Sequence, residues 1–279
     1  TLSLRDDDER RNIVKIKNPL GEELSAMRTT LIFGLLDTAR RNANNGSFDL
    51  RIFEIGRTFI TGQTGELPRE KNILAGLLTG KVTEDFWDAA NPIDFYHMKG
   101  CLENIFRDLK INHCRYVPSA EETFLHPGKA CKIMLDEKQL GWAGEVHPDI
   151  KEKFDLKNCA YVFEINLDLL SALALNSRIF FQELSKFPAV TRDAAFVIPE
   201  QTEADAMLDA IRQQKEDLLE TISIFDVYKG KGLPEGTKSL GLRFSYRAAD
   251  RTLTDAEAGA IHEKIVQKTV ASTGAKIRS

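Results

Sequence analysis

The 279 residues contain only four cysteines, Cys101, Cys114, Cys131 and Cys159, spaced 13, 17 and 28 positions apart. None falls in a C-x-x-C pair, and four thiols in a chain of this size do not make a disulfide scaffold. The expectation is four free, mostly buried thiols in a reducing cytoplasm, with no metal site. Long apolar runs are also missing. Leu169 to Leu175 is broken by Ser171 and falls far short of the roughly 18 residues that cross a bilayer, so no membrane partner is expected. The five histidines, His97, His113, His126, His147 and His262, form neither H-x-x-x-H nor H-E-x-x-H, and no serine lies in a G-x-S-x-G elbow. His126-Pro127-Gly128 and His147-Pro148-Asp149 read as turns. The acidic pairs Glu22/Glu23 and Glu121/Glu122 are adjacent in sequence and read as surface. A leading Met and a secretory pattern are absent too: the chain opens on Thr1-Leu2-Ser3, as a piece of a longer polypeptide would. Nothing in spacing or composition marks a catalytic residue.

What is present is an ordinary globular balance. Thirty-eight Lys and Arg face 42 Asp and Glu, for a formal net charge of -4. That excludes a general coat for nucleic acid, which would be basic overall, but leaves a local basic face open. The length favours two domains.

Periodicity sets the elements. Leu31, Ile32, Leu35, Leu36 and Ala39 lie on one helical stripe that Thr29 or Thr30 could cap, and Arg40 to Gly46 closes it. Leu50 to Ile60 and Asn72 to Lys81 read as strands around the turn-rich Thr61 to Pro68. Asn91-Pro92 opens a helix carrying Phe95, Met98, Leu102, Ile105, Phe106 and Leu109. Lys129 to Val146 folds into two strands about Asp136-Glu137-Lys138. Tyr161 to Ile165 is a strand and Leu167 to Leu175 a short helix. This α+β first domain covers 1–176.

A boundary falls between Leu175 and Gln182. The second domain, 182–279, then runs strand (Asp193 to Ile198), helix (Thr202 to Gln214), strand (Leu219 to Tyr228), strand (Leu240 to Arg247), helix (Thr254 to Thr273) and last strand (Lys276 to Arg278). That order is the ferredoxin-like βαββαβ. Charge divides inside it. Residues 182–228 hold four Lys/Arg against ten Asp/Glu, a net of -6, while 229–279 hold ten against five, a net of +5.

Two features in the basic half suggest chemistry. The loop Tyr228 to Ser239 is rich in Gly and Lys, but its spacing fits neither a P-loop nor a dinucleotide fingerprint. It reads as a hairpin connection whose lysines either are solvated or touch a nucleic-acid backbone. In the strand after it, Leu240, Leu242, Phe244 and Tyr246 share one parity while Gly241, Arg243, Ser245 and Arg247 share the other. The apolar parity should face the helices. Arginines on the open side suit phosphate forks and base stacking. Parity in Leu219 to Tyr228 is ambiguous, so the faces of Phe225 and Tyr228 stay open.

Several blocks resemble one family: Asn18-Pro19-Leu20-Gly21-Glu22-Glu23-Leu24-Ser25-Ala26-Met27-Arg28-Thr29-Thr30-Leu31, Leu50-Arg51-Ile52-Phe53-Glu54-Ile55-Gly56-Arg57, Leu184-Ser185-Lys186-Phe187-Pro188-Ala189-Val190-Thr191-Arg192-Asp193, Phe225-Asp226-Val227-Tyr228 and Arg251-Thr252-Leu253-Thr254-Asp255. Together they are similar to the bacterial phenylalanyl-tRNA synthetase β subunit. The resemblance implies a synthetase-like module near 1–176, related to the class II catalytic fold, in which helices flank an antiparallel sheet. It implies a ferredoxin-fold anticodon-binding domain near 182–279. Arg51 to Arg57 resembles the strand that supplies an Arg to the ATP α-phosphate in active class II enzymes. No G-x-G-x-x-R follows Phe163-Glu164-Ile165, so the second phosphate clamp is missing and the module is expected to be catalytically inert.

From the resemblance come a catalytic α subunit as partner in an (αβ)2 heterotetramer, tRNA(Phe) as ligand, and ATP with Mg2+ needed by the holoenzyme rather than by this portion. The residues expected to touch RNA are Lys229, Lys231, Lys238, Arg243, Ser245, Arg247 and Arg251, with Tyr228 as a stacking partner. The competing reading is a free-standing protein-interaction module on the same scaffold, with no RNA role.

Overall fold

A computed structural model describes residues 2–22, 25–62, 66–82, 91–111, 114–176, 181 and 185–278. His113, Glu23, Leu24, residues 63–65 of the first turn and residues 182–184 lie outside the described residues. The chain divides into two compact units, Thr1–Phe180 and Phe181–Ser279.

In the first unit, β1 (Leu50–Ile60), β2 (Arg69–Thr79), β3 (Arg115–Pro118), β4 (Leu125–Leu135), β5 (Lys138–Val146) and β6 (Ala160–Asn166) form one sheet in the order β1-β2-β6-β5-β4-β3, antiparallel throughout. Helices α1 (Ile32–Asn44), α2 (Phe95–Asp108), α3 (Pro148–Lys153) and α4 (Leu167–Asn176) accompany it. Both faces are buried, which is why β2 and β6 read as nearly continuous apolar runs instead of alternating ones. On one face Ile73, Ala75, Leu77 and Val162 pack with Leu31, just before α1, and with Ile32, Leu35 and Leu36 of that helix. On the other, Leu74, Leu78, Phe163 and Ile165 pack with Met98, Leu102 and Phe106 of α2 and Leu170 of α4.

Three local readings change. Thr30 does cap α1, its Oγ1 accepting from the Ile32 amide at 3.1 Å, but it does not act alone. Glu164 reaches in from β6, and its Oε1 accepts from the Leu31 amide and the Thr30 hydroxyl, each at 2.6 Å. His126-Pro127-Gly128 is not a turn but an irregular stretch within β4, where the register shifts between Leu125 and Ala130. His147-Pro148-Asp149 starts α3: the His147 ring accepts from the Asp149 amide, and Pro148 sits at the first helical position. The cysteines differ as well. Cys131 alone is buried, while Cys101 and Cys159 are exposed and Cys114 is half-buried. Cys101 falls on the outer side of α2, and Cys159 precedes β6 in a connection.

In the second unit, β7 (Val190–Pro199), β8 (Leu219–Tyr228), β9 (Thr237–Tyr246) and β10 (Lys276–Ile277) form an antiparallel sheet ordered β10-β7-β9-β8, with α5 (Ala204–Arg212) and α6 (Asp255–Thr273). This is the expected βαββαβ arrangement. The helices cover one face. Phe196 and Ile198 of β7 and Leu240, Leu242, Phe244 and Tyr246 of β9 pack against Met207, Ile211, Ala258 and Ile265. Thr254 and Glu257 form a reciprocal capping box that starts α6.

Candidate nucleic-acid interface

The face of the second sheet away from its helices is the surface of interest. On β9 it carries Gly241, Arg243 and Ser245, as the alternation required. On β8 a bulge between Ile224 and Asp226 inserts one residue and breaks the alternation. That bulge is why parity along Leu219 to Tyr228 could not be read from sequence. Beyond it, Asp226 stands opposite Gly241 and Tyr228 opposite Ser239, so both take the open face. The Phe225 ring also comes to this side, over Gly241.

Aromatic and cationic groups pair on the face. The Arg243 guanidinium carbon lies 5.2 Å from the Phe225 ring centroid, and that of Arg278 lies 4.8 Å from the Tyr228 ring. Tyr228 is further pinned by its hydroxyl, which donates to the Lys231 carbonyl at 3.0 Å. The loop that turns back beneath it uses Gly230, Gly232 and Gly236 at positive φ, where a side chain would be strained. Phe225 and Arg278 were absent from the expected site. Arg278 could have been suspected from its place at the end of the last strand, but only the fold brings it to Tyr228.

The expected cations are distributed unevenly. Arg243 donates Nε and Nη2 to the two oxygens of Asp193 at 2.9 and 2.8 Å. Arg247, just past the end of β9, donates Nε to Glu220 and Nη1 to the Phe187 carbonyl, each at 2.9 Å. Lys229 pairs with Glu200 at 2.6 Å. Arg251 sits shortly before α6, held by Glu257 at 2.8 Å. The amide and hydroxyl of Thr254, with Arg251, hold the Glu257 carboxyl down to about 2. Lys238 has the parity of Leu240 and Leu242, so strand alternation turns it away from Arg243. Among the described residues, Lys231 and Lys238 have no carboxylate at ion-pair distance. Ser245 stays on the open face, half-exposed.

The separate acidic and basic halves of the sequence therefore do not become separate faces. The strand order places basic β9 between β7, which supplies Asp193, and β8, which supplies Glu220. Arg243 and Arg247 each pair with a carboxylate from a neighbouring strand, while Arg278 lies over the Tyr228 ring.

The first unit holds a cleft of about 300 Å3, lined by Asp8, Glu9, Arg10, Lys71, Glu122, Trp142 and Glu164 among others. Arg10 is bound by Asp8 and Glu122, each at 2.6 Å, and Lys71 by Glu9 at 3.2 Å. Burial pushes the Glu164 carboxyl up to about 6, against the pull of Thr30 and the Leu31 amide. Carboxylates outnumber cations in this cleft and both cations are engaged, so it does not fit a magnesium–triphosphate group. Among the described residues, no three metal-ligating side chains cluster, and no helix is long and apolar enough to cross a membrane.

Residues 1–167 match the family described as the phenylalanyl tRNA synthetase beta chain CLM domain. The chain belongs to the phenylalanyl-tRNA synthetase β-chain family. Residues 185–278 match the ferredoxin-fold anticodon binding domain. Among curated relatives, the phenylalanine–tRNA ligase β subunit of Syntrophus aciditrophicus (strain SB) is 49% identical over 99% of this chain and 34% of its own length. Those of Moorella thermoacetica and Syntrophotalea carbinolica are 41% and 40% identical over 99% of the chain and 34% of theirs. The chain thus spans about a third of the length of these β-chain relatives. The antiparallel sheet flanked by helices, followed by the ferredoxin fold, is the α+β class expected for this family.

Proposed function

We propose that this chain is the portion of a phenylalanine–tRNA ligase β subunit that supports the catalytic α subunit and docks the anticodon stem-loop of tRNA(Phe), in the cytoplasm, within an (αβ)2 assembly. The observation that carries the RNA role is the open sheet face of the second unit. Phe225–Arg243 and Tyr228–Arg278 form paired stacking surfaces on a domain matched to an anticodon-binding fold. Single-stranded loops are recognised by just such aromatic and guanidinium planes, with hydrogen bonding to base edges. Lys229, Lys231 and Arg251 would flank the loop backbone, and Ser245 offers a hydroxyl on the same face. Lys238, by contrast, turns to the other side of β9, and Arg247 is held by Glu220 and the Phe187 carbonyl.

The supporting role rests on the edge strand β1. Phe53 and Ile55 stand opposite Gly76 and Leu74 of β2, on the face whose core continues through Leu74 and Phe163. Yet Phe53 is 72% and Ile55 59% exposed, with Arg51 and Arg57 on either side. An uncovered continuation of a core at a sheet edge is the kind of surface another subunit buries. ATP and Mg2+ belong to the holoenzyme and would be held by the α subunit. The acid-lined cleft of the first unit supports no adenylate chemistry, so the chain alone is catalytically silent. Phenylalanine-dependent pyrophosphate exchange by the purified chain tests this: no exchange is expected, and measurable exchange would refute the silence. Co-purification with an α subunit tests the partner.

A further inference from the structure

Arg243 has one of its two hydrogen-bonding edges committed, Nε with Nη2, and lies over the Phe225 ring. Asp193 lies directly opposite it in the β7–β9 register and takes two parallel hydrogen bonds from the guanidinium. Phe225 stands against one face of that guanidinium. The edge filled by Asp193 is one of the two forks that can grip a phosphate in bidentate fashion. A phosphate taking that edge would have to displace a carboxylate, and one taking the outer Nη1–Nη2 edge would still sit beside the Asp193 charge. A neutral base meets no such penalty and can stack on the plane that is left, since the Arg243 side chain is still 51% exposed.

We propose that Arg243 receives a nucleobase on its open plane rather than a phosphate on its edge, and that Asp193 is the positioning residue that enforces this choice. The inference rests on the RNA reading above and adds to it a source of specificity: the sheet discounts backbone charge so that unpaired bases decide binding. Glu220 acts on Arg247 in the same direction, accepting from Nε, with the Phe187 carbonyl accepting from Nη1. The ferredoxin strand order makes this possible, because it sets Arg243 of β9 and Arg247 just after it each beside a carboxylate from a neighbouring strand.

The test is a fluorescence-anisotropy titration of the whole 279-residue chain over a range of salt. Two RNAs are compared: a hairpin bearing the phenylalanine anticodon, and the same hairpin with abasic sites through the loop. Wild type should prefer the intact loop by roughly tenfold or more, the scale of one or two stacked bases. Arg243→Lys keeps the charge and loses the plane. It should weaken the intact hairpin roughly tenfold and leave the abasic one unchanged. Asp193→Asn frees the fork. It should tighten the abasic hairpin and steepen the salt dependence by about 0.7 in log–log slope, one added phosphate contact. If Arg243→Lys binds both hairpins as wild type does, or Asp193→Asn leaves slope and preference unchanged, the inference is overturned while RNA binding stands. If wild type binds neither hairpin, the RNA reading falls and this inference with it. Thermal melts confirm that both variants are folded, and the lysine variant decides the question alone should Asp193→Asn unfold.

Discussion

The Phe225 ring occupies the space above Gly241: a β-carbon built on Gly241 would stand 2.9 Å from Phe225 Cζ and 3.1 Å from Asp226 Cβ. Glycine at this point of β9 and the bulge in β8 are two halves of one device. The bulge delivers an extra aromatic ring to the open face, and the missing side chain gives that ring somewhere to lie. Gly241→Val should therefore expel the ring. We expect hairpin affinity to fall roughly tenfold, one lost stacking surface, and stability to drop by about 1–3 kcal/mol from overpacking. Anisotropy and a denaturant melt of the variant read the two effects separately, and unchanged RNA affinity would remove Phe225 from the platform.

Tyr228 stacks against Arg278 and donates to Lys231. Tyr228→Ala should cost about 1–3 kcal/mol of RNA binding, the range for one base–aromatic contact. Tyr228→Phe keeps the plane and gives up only the tether, so most of the affinity should remain. Equal losses in the two variants would shift the role from the ring to the hydroxyl.

The division between what the sequence discloses and what it hides follows from range. The alternation of Leu240 to Tyr246 needs only neighbours to be read, and the structure buries that set against α5 and α6. The βαββαβ order is likewise a sum of local periods. Parity past Ile224 is hidden, because a bulge is one unpaired residue with no compositional signature. The Glu164 cap on α1 is hidden too, since its partners are more than 130 positions away. So are Asp193–Arg243 and Tyr228–Arg278. Such pairs depend on which strands become neighbours, and the apparent basic half lost its meaning for the same reason.

Glu164 makes a pH prediction. Burial lifts its carboxyl from 4.5 to about 6 in the folded chain, so the folded state keeps a proton that the unfolded state releases. The stabilisation from that proton is full below pH 4.5 and is lost as pH rises through 6. The shift corresponds to on the order of 2 kcal/mol. Glu164→Gln keeps an oxygen for Thr30 and Leu31 and removes the charge. Its stability relative to wild type should grow between about pH 4.5 and 6 and then level off. Parallel urea melts across that window would show no divergence if the carboxyl titrated normally.

Phe53 and Ile55 form the exposed band on β1. Phe53→Asp with Ile55→Asp should leave the fold intact, because neither side chain is buried within the chain, and should abolish co-purification with an α subunit. Anticodon-hairpin binding should be unaffected. Undiminished capture of the α subunit by the double variant would place the subunit interface elsewhere.

The central claim is that the open sheet face of the second unit reads an anticodon loop. It is tested most directly by titrating the whole chain with the phenylalanine anticodon hairpin and with a hairpin of identical stem and scrambled loop. The account predicts that the anticodon hairpin binds tighter by roughly tenfold or more, as base-level recognition requires. Equal affinity for the two loops, or binding to neither, would contradict it.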